Sequence, residues 1–342
     1  MKAVAFSIKP FEKEFLAKAN QKKHDITLIS NPLNFETAAY AAGKDAVIVF
    51  TNDDVSAKVI GKLAGLGIKY IVTRSVGTDH IDKAMAERHH IKLANVPFYS
   101  PQAIAEHAVA LAFALNRKLI KANANAHNFD FRNDDLIGFN FSGKTVGIIG
   151  LGQTGKAAAS IFKCLGCNVL GFDEHFPEDA GYVKQTSLDE LLASSDVISL
   201  HMPLTDKTEH FIQRDKLNKM KDGVMLINTS RGAVIKTVDV LSALESGKVG
   251  YLGIDVYEYE KGLFFEDHEN DVVKDSLLKD LLAQDNVLIT PHQAYLTREA
   301  LQEIADRTIQ SLDFFQQKKC VGDACVGHND CNVVGLNAGR LG

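Results

Sequence analysis

The sequence predicts an α/β protein built of two doubly wound parallel-sheet domains. Three observations carry that reading. Short β-branched runs alternate with helical periodicity as far as about residue 317, a pattern that builds parallel sheets with helices on their faces. A chain of 342 residues is long for a single hydrophobic core. Finally, residues 145–173 read as strand, glycine turn, helix and second strand ending in an acid.

Composition narrows the function classes. With 46% hydrophobic and 24% charged residues the chain reads as an ordinary globular protein. A net charge of -5 and no basic stripe argue against a nucleic-acid partner. The first eight residues read as a strand, and Lys9, Glu12 and Lys13 interrupt any signal-peptide core. The most apolar helix, near residues 103–115, carries Glu106 and His107 and is too short to span a bilayer. A cytoplasmic protein with no membrane partner is therefore expected.

Residues 1–99 place strands at 4–8, 26–29, 46–50, 70–73 and 92–94, with helices near 11–20, 55–66 and 83–89. No phosphate fingerprint occurs here, so this domain is assigned to the substrate. Its loop from Arg74 to Asp82 contains Val76 and Gly77 and follows a parallel strand, where such folds bind ligands; a plain connecting loop is the alternative. Ser100 and Pro101 then supply an N-cap and a first helical position. The helix from 103 to 119 is apolar on nearly every face, which predicts burial at an interdomain or subunit contact, with His107 structural. Residues 123–140 form a polar connection.

In the central unit Gly150, Gly152 and Gly155 stand at G-x-G-x-x-G spacing. The first permits the tight turn, the second admits a diphosphate and the third lets helix pack on strand, which makes this domain Rossmann-like. A diphosphate would sit on the helix N-terminus. Asp173, eighteen residues after Gly155, accepts ribose hydroxyls and repels a 2′-phosphate, and Glu174 adds to that repulsion. NAD is therefore the expected cofactor, rather than NADP. Cys164 and Cys167 form a C-x-x-C at a helix C-terminus, where a low thiol pKa is not supported, so both are read as buried small hydrophobes.

Strands at 196–200, 224–228, 251–255 and 287–290 continue the second sheet, with helices beginning near Ser187, Asp215 and Thr237. A long amphipathic helix at 297–317 returns to the first domain. The predicted domains are 1–99 plus 297–319, 100–296, and a flexible tail at 320–342. In that tail Cys320, Cys325, His328 and Cys331 match no zinc spacing well, so no metal is expected.

Arg231, Glu260 and His292 each follow a strand of the second sheet, so they can converge at the cofactor crevice. A histidine can protonate the alkoxide left by hydride transfer to a ketone. A glutamate beside an imidazole stabilises its protonated form, and an arginine grips a carboxylate bidentately. The set points to a 2-keto acid reductase. His201, also at a strand end, is the competing acid.

Several longer runs settle the resemblance: Val96-Pro97-Phe98-Tyr99-Ser100-Pro101, Ala105-Glu106-His107-Ala108, Asn228-Thr229-Ser230-Arg231-Gly232-Ala233, Leu263-Phe264-Phe265-Glu266-Asp267 and Pro291-His292-Gln293-Ala294. Almost the whole chain to about residue 318 resembles the D-isomer-specific 2-hydroxyacid dehydrogenases, and within them the fermentative D-lactate dehydrogenases. The resemblance implies a cleft between the two domains, Arg231 on the substrate carboxylate, His292 as acid/base and Glu260 as its partner. It further implies that backbone amides of Val76 and Gly77 meet the carboxylate and that Tyr99 and Tyr295 line the pocket. Gln153, Thr154, Asp173, Met202, Pro203, Thr208, Thr229, Ser230 and Asp255 would contact NAD, and a homodimer built on the NAD domains is implied as well. Gln153-Thr154 departs from the family's usual glycine loop, and Asn133 stands where some relatives have tryptophan. The expected reaction is reduction of pyruvate to D-lactate. A bulkier or different keto acid (phenylpyruvate, 2-ketoisocaproate, hydroxypyruvate) and a non-catalytic NAD sensor remain as alternatives.

Overall fold

The computed structural model describes residues 1–272 and 274–327. They divide into two units, Met1–Tyr99 with the returning chain from Thr297, and Ser100–Leu296. The first stretch runs β1 (Lys2–Ala5), α1 (Glu12–Asn20), β2 (Asp25–Leu28), β3 (Ala46–Val49), α2 (Ala57–Gly65), β4 (Tyr70–Thr73), α3 (Lys83–Arg88) and β5 (Lys92–Ala94). Every residue of β3 is buried, as a parallel strand covered on both faces requires. Val59, Ile60 and Leu63 of α2 turn one face to the same core. Asp82 caps α3 by accepting the Met85 amide.

The second unit opens with α4 (Pro101–Asn116), where Ser100 Oγ accepts the Ala103 amide and Pro101 occupies the first turn, as the sequence predicts. Within the single chain one side of it stays open. Ala103, Ala105, Ala108, Leu111, Ala112 and Leu115 are buried, whereas Gln102, Glu106 and Ala110 are exposed. The helix also stops early, because the Asn116 side chain pairs with the backbone of Phe139 and Lys118 turns left-handed. α5 (Leu119–His127) follows, overlapping the stretch expected to be a polar connection, and it buries no residue within this unit.

Alternation then resumes: β6 (Thr145–Ile149), α6 (Gln153–Cys164), β7 (Asn168–Phe172), β8 (Lys184–Gln185), α7 (Leu188–Ser194), β9 (Val197–Leu200), α8 (Arg214–Leu217), β10 (Val224–Asn228), α9 (Thr237–Glu245), β11 (Val249–Ile254), α10 (Ser276–Leu282) and β12 (Val287–Ile289). The sheet is parallel, in the order β12-β11-β10-β9-β6-β7-β8. Strand order reverses between β6 and β9, the switch point at which doubly wound sheets leave a crevice. After α6, Cys167 is buried as expected, but Cys164 is exposed.

α11 (Arg298–Gln316) is capped by Thr297 and buries Ala305, Ile309, Leu312 and Phe315 in the core of the first unit. Phe315 stacks on Tyr70 with ring centroids 4.5 Å apart. β13 (Cys325–Val326) then adds an antiparallel edge strand beside β5, giving the order β13-β5-β4-β3-β1-β2. The expected flexible tail therefore begins too early. Val321 and Ala324 are buried, and Asn95 donates to Ala324 O, so this stretch packs on the first unit and Cys325–Val326 join its sheet. His328 and Cys331 lie outside the described residues. No helix among the described residues is long and apolar enough to cross a membrane.

Candidate active site

Three neighbouring parallel strands, β10, β11 and β12, deliver Arg231, Glu260 and His292 from their carboxyl ends. Parallel pairing puts all three on one edge of the sheet, since every strand points its carboxyl end to the same side. His292 Nδ1 lies 2.9 Å from Glu260 Oε1. The other carboxylate oxygen of Glu260 accepts the Tyr257 amide at 3.0 Å, so the turn 257–260 fixes its direction. A carboxylate only accepts, so Nδ1 carries the hydrogen and Nε2 is left for a reacting atom. The Phe265 ring sits 5.5 Å from the imidazole at 40°.

His292 itself has φ 53°, a left-handed conformation that costs a non-glycine residue roughly 1–3 kcal/mol. The surrounding bonds enforce it. Asp255, whose side chain is 1% exposed, directs both oxygens at this loop. Oδ1 accepts Thr290 Oγ1 at 2.6 Å and the Gln293 amide at 2.8 Å, while Oδ2 accepts the Ala294 amide at 2.8 Å. His107 Nε2 lies 3.0 Å from Thr290 Oγ1, which ties α4 to the same network. Asp255, implied by the resemblance as a cofactor contact, thus has a built structural task in holding the His292 loop.

The turn bearing Arg231 is shaped by Asn228, a residue that the sequence reading passed over. Its Oδ1 accepts the Ser230 amide and hydroxyl at 3.0 and 2.7 Å, and its Nδ2 donates to Arg231 O at 2.9 Å. An amide-bearing residue closing a strand just before Thr-Ser-Arg was the available signal. Arg231 donates from Nη1 to Ser230 O at 2.8 Å.

The competing acid is less suited to proton transfer. His201 Nε2 lies 2.9 Å from Ser199 Oγ, and its Nδ1 is buried without a partner among the described residues. Burial lowers its pKa to about 4, leaving the imidazole neutral near pH 7.

The residues of the glycine turn fit NAD. Gly150 takes φ 90°, and a Cβ on Gly155 would overlap the Gly150 carbonyl, so helix and strand meet backbone to backbone. At Gly152, the N-cap of α6, a Cβ would meet nothing within 4 Å. That leaves an open cradle over the first amides of the helix, where the macrodipole favours a diphosphate. Gln153 and Thr154 form the first turn of the helix. Asp173 ends β7 and is braced by the amides of Leu151 and His175, at 2.6 and 2.9 Å. Thr229 Oγ1 is buried without a protein partner among the described residues, consistent with a ligand hydrogen bond. Met202 is buried, and Thr208 Oγ1 donates to Pro203 O at 2.6 Å, shaping the turn after β9.

In the first unit, Val76 and Gly77 follow β4. Every nearby carbonyl is satisfied: Ser75 O by the Val96 amide, Val76 O by Asn95 Nδ2 at 2.8 Å and Gly77 O by Ser75 Oγ at 2.7 Å. No backbone hydrogen bond is made by the Val76 or Gly77 amides among the described residues. Tyr99 and Tyr295 are half-buried loop residues.

Residues 109–294 match the NAD-binding domain model of the D-isomer specific 2-hydroxyacid dehydrogenases. The chain is 43% identical over 339 residues to D-lactate dehydrogenase kk1H of Curvularia clavata, covering 97% of each chain. It is 40% identical to the D-lactate dehydrogenase of Escherichia coli over 329 residues, 95% of this chain and 98% of that one. Among solved structures, the pyruvate reductase of Chlamydomonas reinhardtii superposes with a TM-score of 0.89 at 40% identity, covering 94% of this chain and 98% of the other.

Proposed function

Because the chain belongs to the D-isomer-specific 2-hydroxyacid dehydrogenases and takes NAD as its cofactor, we propose that it is a D-lactate dehydrogenase that reduces pyruvate. The observation that carries the reading is the Glu260–His292 pair at 2.9 Å, formed between the segments that follow β11 and β12, beside β10, which leads into Arg231. When bound, NADH supplies the hydride that reaches the keto carbon. Arg231 holds the substrate carboxylate through its guanidinium fork. His292 Nε2 gives its proton to the keto oxygen as negative charge develops there, and Glu260 keeps the imidazole in the required tautomer and orientation. Tyr295 lines the pocket. Asp173 takes the adenosine ribose, with Gln153, Thr154, Met202, Pro203, Thr208, Thr229 and Ser230 around the rest of the cofactor.

The same reading makes the protein a cytoplasmic homodimer. Leu119, Ile120, Phe129, Phe131 and Ile137 are 52, 64, 85, 76 and 78% exposed around α5, an apolar surface of the kind that a second copy covers.

The test is the initial rate of NADH oxidation with pyruvate, beside phenylpyruvate, 2-ketoisocaproate and hydroxypyruvate at equal concentrations. Pyruvate should give the highest kcat/KM, with D-lactate as product. A bulkier acid in first place would change the substrate and keep the mechanism, and NADH binding without turnover would favour a sensor.

A further inference from the structure

Glu258 stands two residues before Glu260 yet takes no part in the acid/base pair. Its side chain is 6% exposed, a burial that a carboxylate sustains only with strong partners. Those partners come from two other loops. Oε1 lies 2.6 Å from His210 Nε2, and Oε2 accepts the Thr237 amide at 2.8 Å. Burial alone would push this carboxyl up, but the bonds from Thr237 and His210 outweigh it and hold the group below its ordinary range, so it is ionised.

The backbone around these partners closes the arrangement. The His210 amide donates to Ala233 O at 2.7 Å, and the Ile212 amide to Val234 O at 2.9 Å, which zips the segment after β9 to the one after β10. On the other side, Gly232 lies so near the Tyr257 carbonyl and the Glu258 amide that a Cβ there would overlap both. One buried carboxylate therefore joins three successive strand-end loops. Two of them carry Arg231 and Glu260.

We propose that Glu258 and His210 form a positioning pair, which sets the spacing between the Arg231 loop and the Glu260 turn and so aligns the substrate carboxylate with the acid/base pair. This rests on the roles proposed above for Arg231, Glu260 and His292. Neither member of the pair reaches the reacting atoms. Their effect passes through backbone that the pair holds still, and a misplacement on the order of 1 Å costs roughly a hundredfold in rate.

The experiment compares Glu258→Gln, Glu258→Ala, His210→Ala and His210→Gln in the full-length protein. Active sites are counted by NADH fluorescence titration, and kcat and KM are measured with pyruvate. Glu258→Gln and His210→Ala should lower kcat by roughly tenfold at an unchanged NADH Kd. His210→Gln, which keeps a donor near the Nε2 position, should return to within about threefold of wild type. If the pair were only structural, the variants would lose melting temperature and NADH-competent sites while kcat per remaining site stayed normal, and that result overturns the proposal. So does a His210→Gln variant as impaired as His210→Ala. Should Glu258→Ala fail to fold, the Gln and His210 variants decide alone. His292→Ala run in parallel separates the levels: a near-normal rate there overturns the acid/base assignment and this proposal with it, whereas a dead His292→Ala beside normal pair variants overturns this proposal alone.

Discussion

Replacing Asp255 by asparagine tests whether the His292 loop is held in place or merely happens to lie there. The carboxylate is 1% exposed and accepts three hydrogen bonds, from Thr290 Oγ1 at 2.6 Å and from the amides of Gln293 and Ala294 at 2.8 Å. Asparagine has a single acceptor oxygen. Its better orientation keeps the Thr290 and Gln293 bonds and turns the NH2 group against the Ala294 N–H, so one charge-assisted bond is lost and a buried donor faces a donor. That exchange costs about 2–3 kcal/mol, which in a unit of this size lowers Tm by about 5–10 °C. The loop also loses what holds His292 at its strained φ of 53°. Relaxation by ~1 Å would lower kcat by roughly a hundredfold. Calorimetry, pyruvate kinetics and an NADH titration together read the outcome. A Tm within about 1 °C of wild type and a kcat within about twofold would refute the argument. If instead the NADH Kd alone rises, Asp255 serves the cofactor directly, as the resemblance implies.

Three further outcomes follow from the same geometry. His292→Ala should reduce turnover by roughly a hundredfold or more; a variant of near-normal rate would remove the acid/base assignment. Arg231→Lys should mainly raise the pyruvate KM, because an ammonium cannot form the two parallel bonds of a guanidinium, and unchanged KM and kcat would take Arg231 out of the site. His201, lowered by burial to about 4 from 6.5, leaves the unfolded chain to bind the proton first as pH falls. Its contribution is therefore complete above about pH 6.5 and is lost toward pH 4, about 3 kcal/mol at most. Urea unfolding at pH 7.5 and 5 should show wild type losing about 2 kcal/mol more than His201→Gln, and equal losses would refute the burial argument.

Much of the site could be read from the chain because its chemistry depends on local order. The glycine turn, the acid at Asp173 and the N-cap at Ser100 act within one strand–turn–helix unit, so the sequence displays them directly. The placement of Arg231, Glu260 and His292 on one edge of the sheet was legible for a different reason. In a parallel sheet the carboxyl ends share one side, and separation along the chain does not matter. What was misread lay where a segment's surroundings decide its state. Residues 320–327, poor in periodicity, become ordered because β5 offers an open edge that Cys325 and Val326 can pair with. α4 is shorter than its composition suggests because the Asn116 side chain, at the helix end, pairs with the backbone of Phe139.

By itself, then, the sequence determined the fold class and the cofactor and named the side chains proposed to react, since these follow from periodicity and from residue types at strand ends. Only the tertiary structure decided which polar residues hold those side chains in place. Asp255, Asn228 and Glu258 look in the sequence like any acid or amide near a strand end. Their importance comes from burial, because once water is excluded each polar atom must be matched, by the residues of its own turn for Asn228 and by partners far along the chain for Asp255 and Glu258, as His210 lies 48 residues from Glu258.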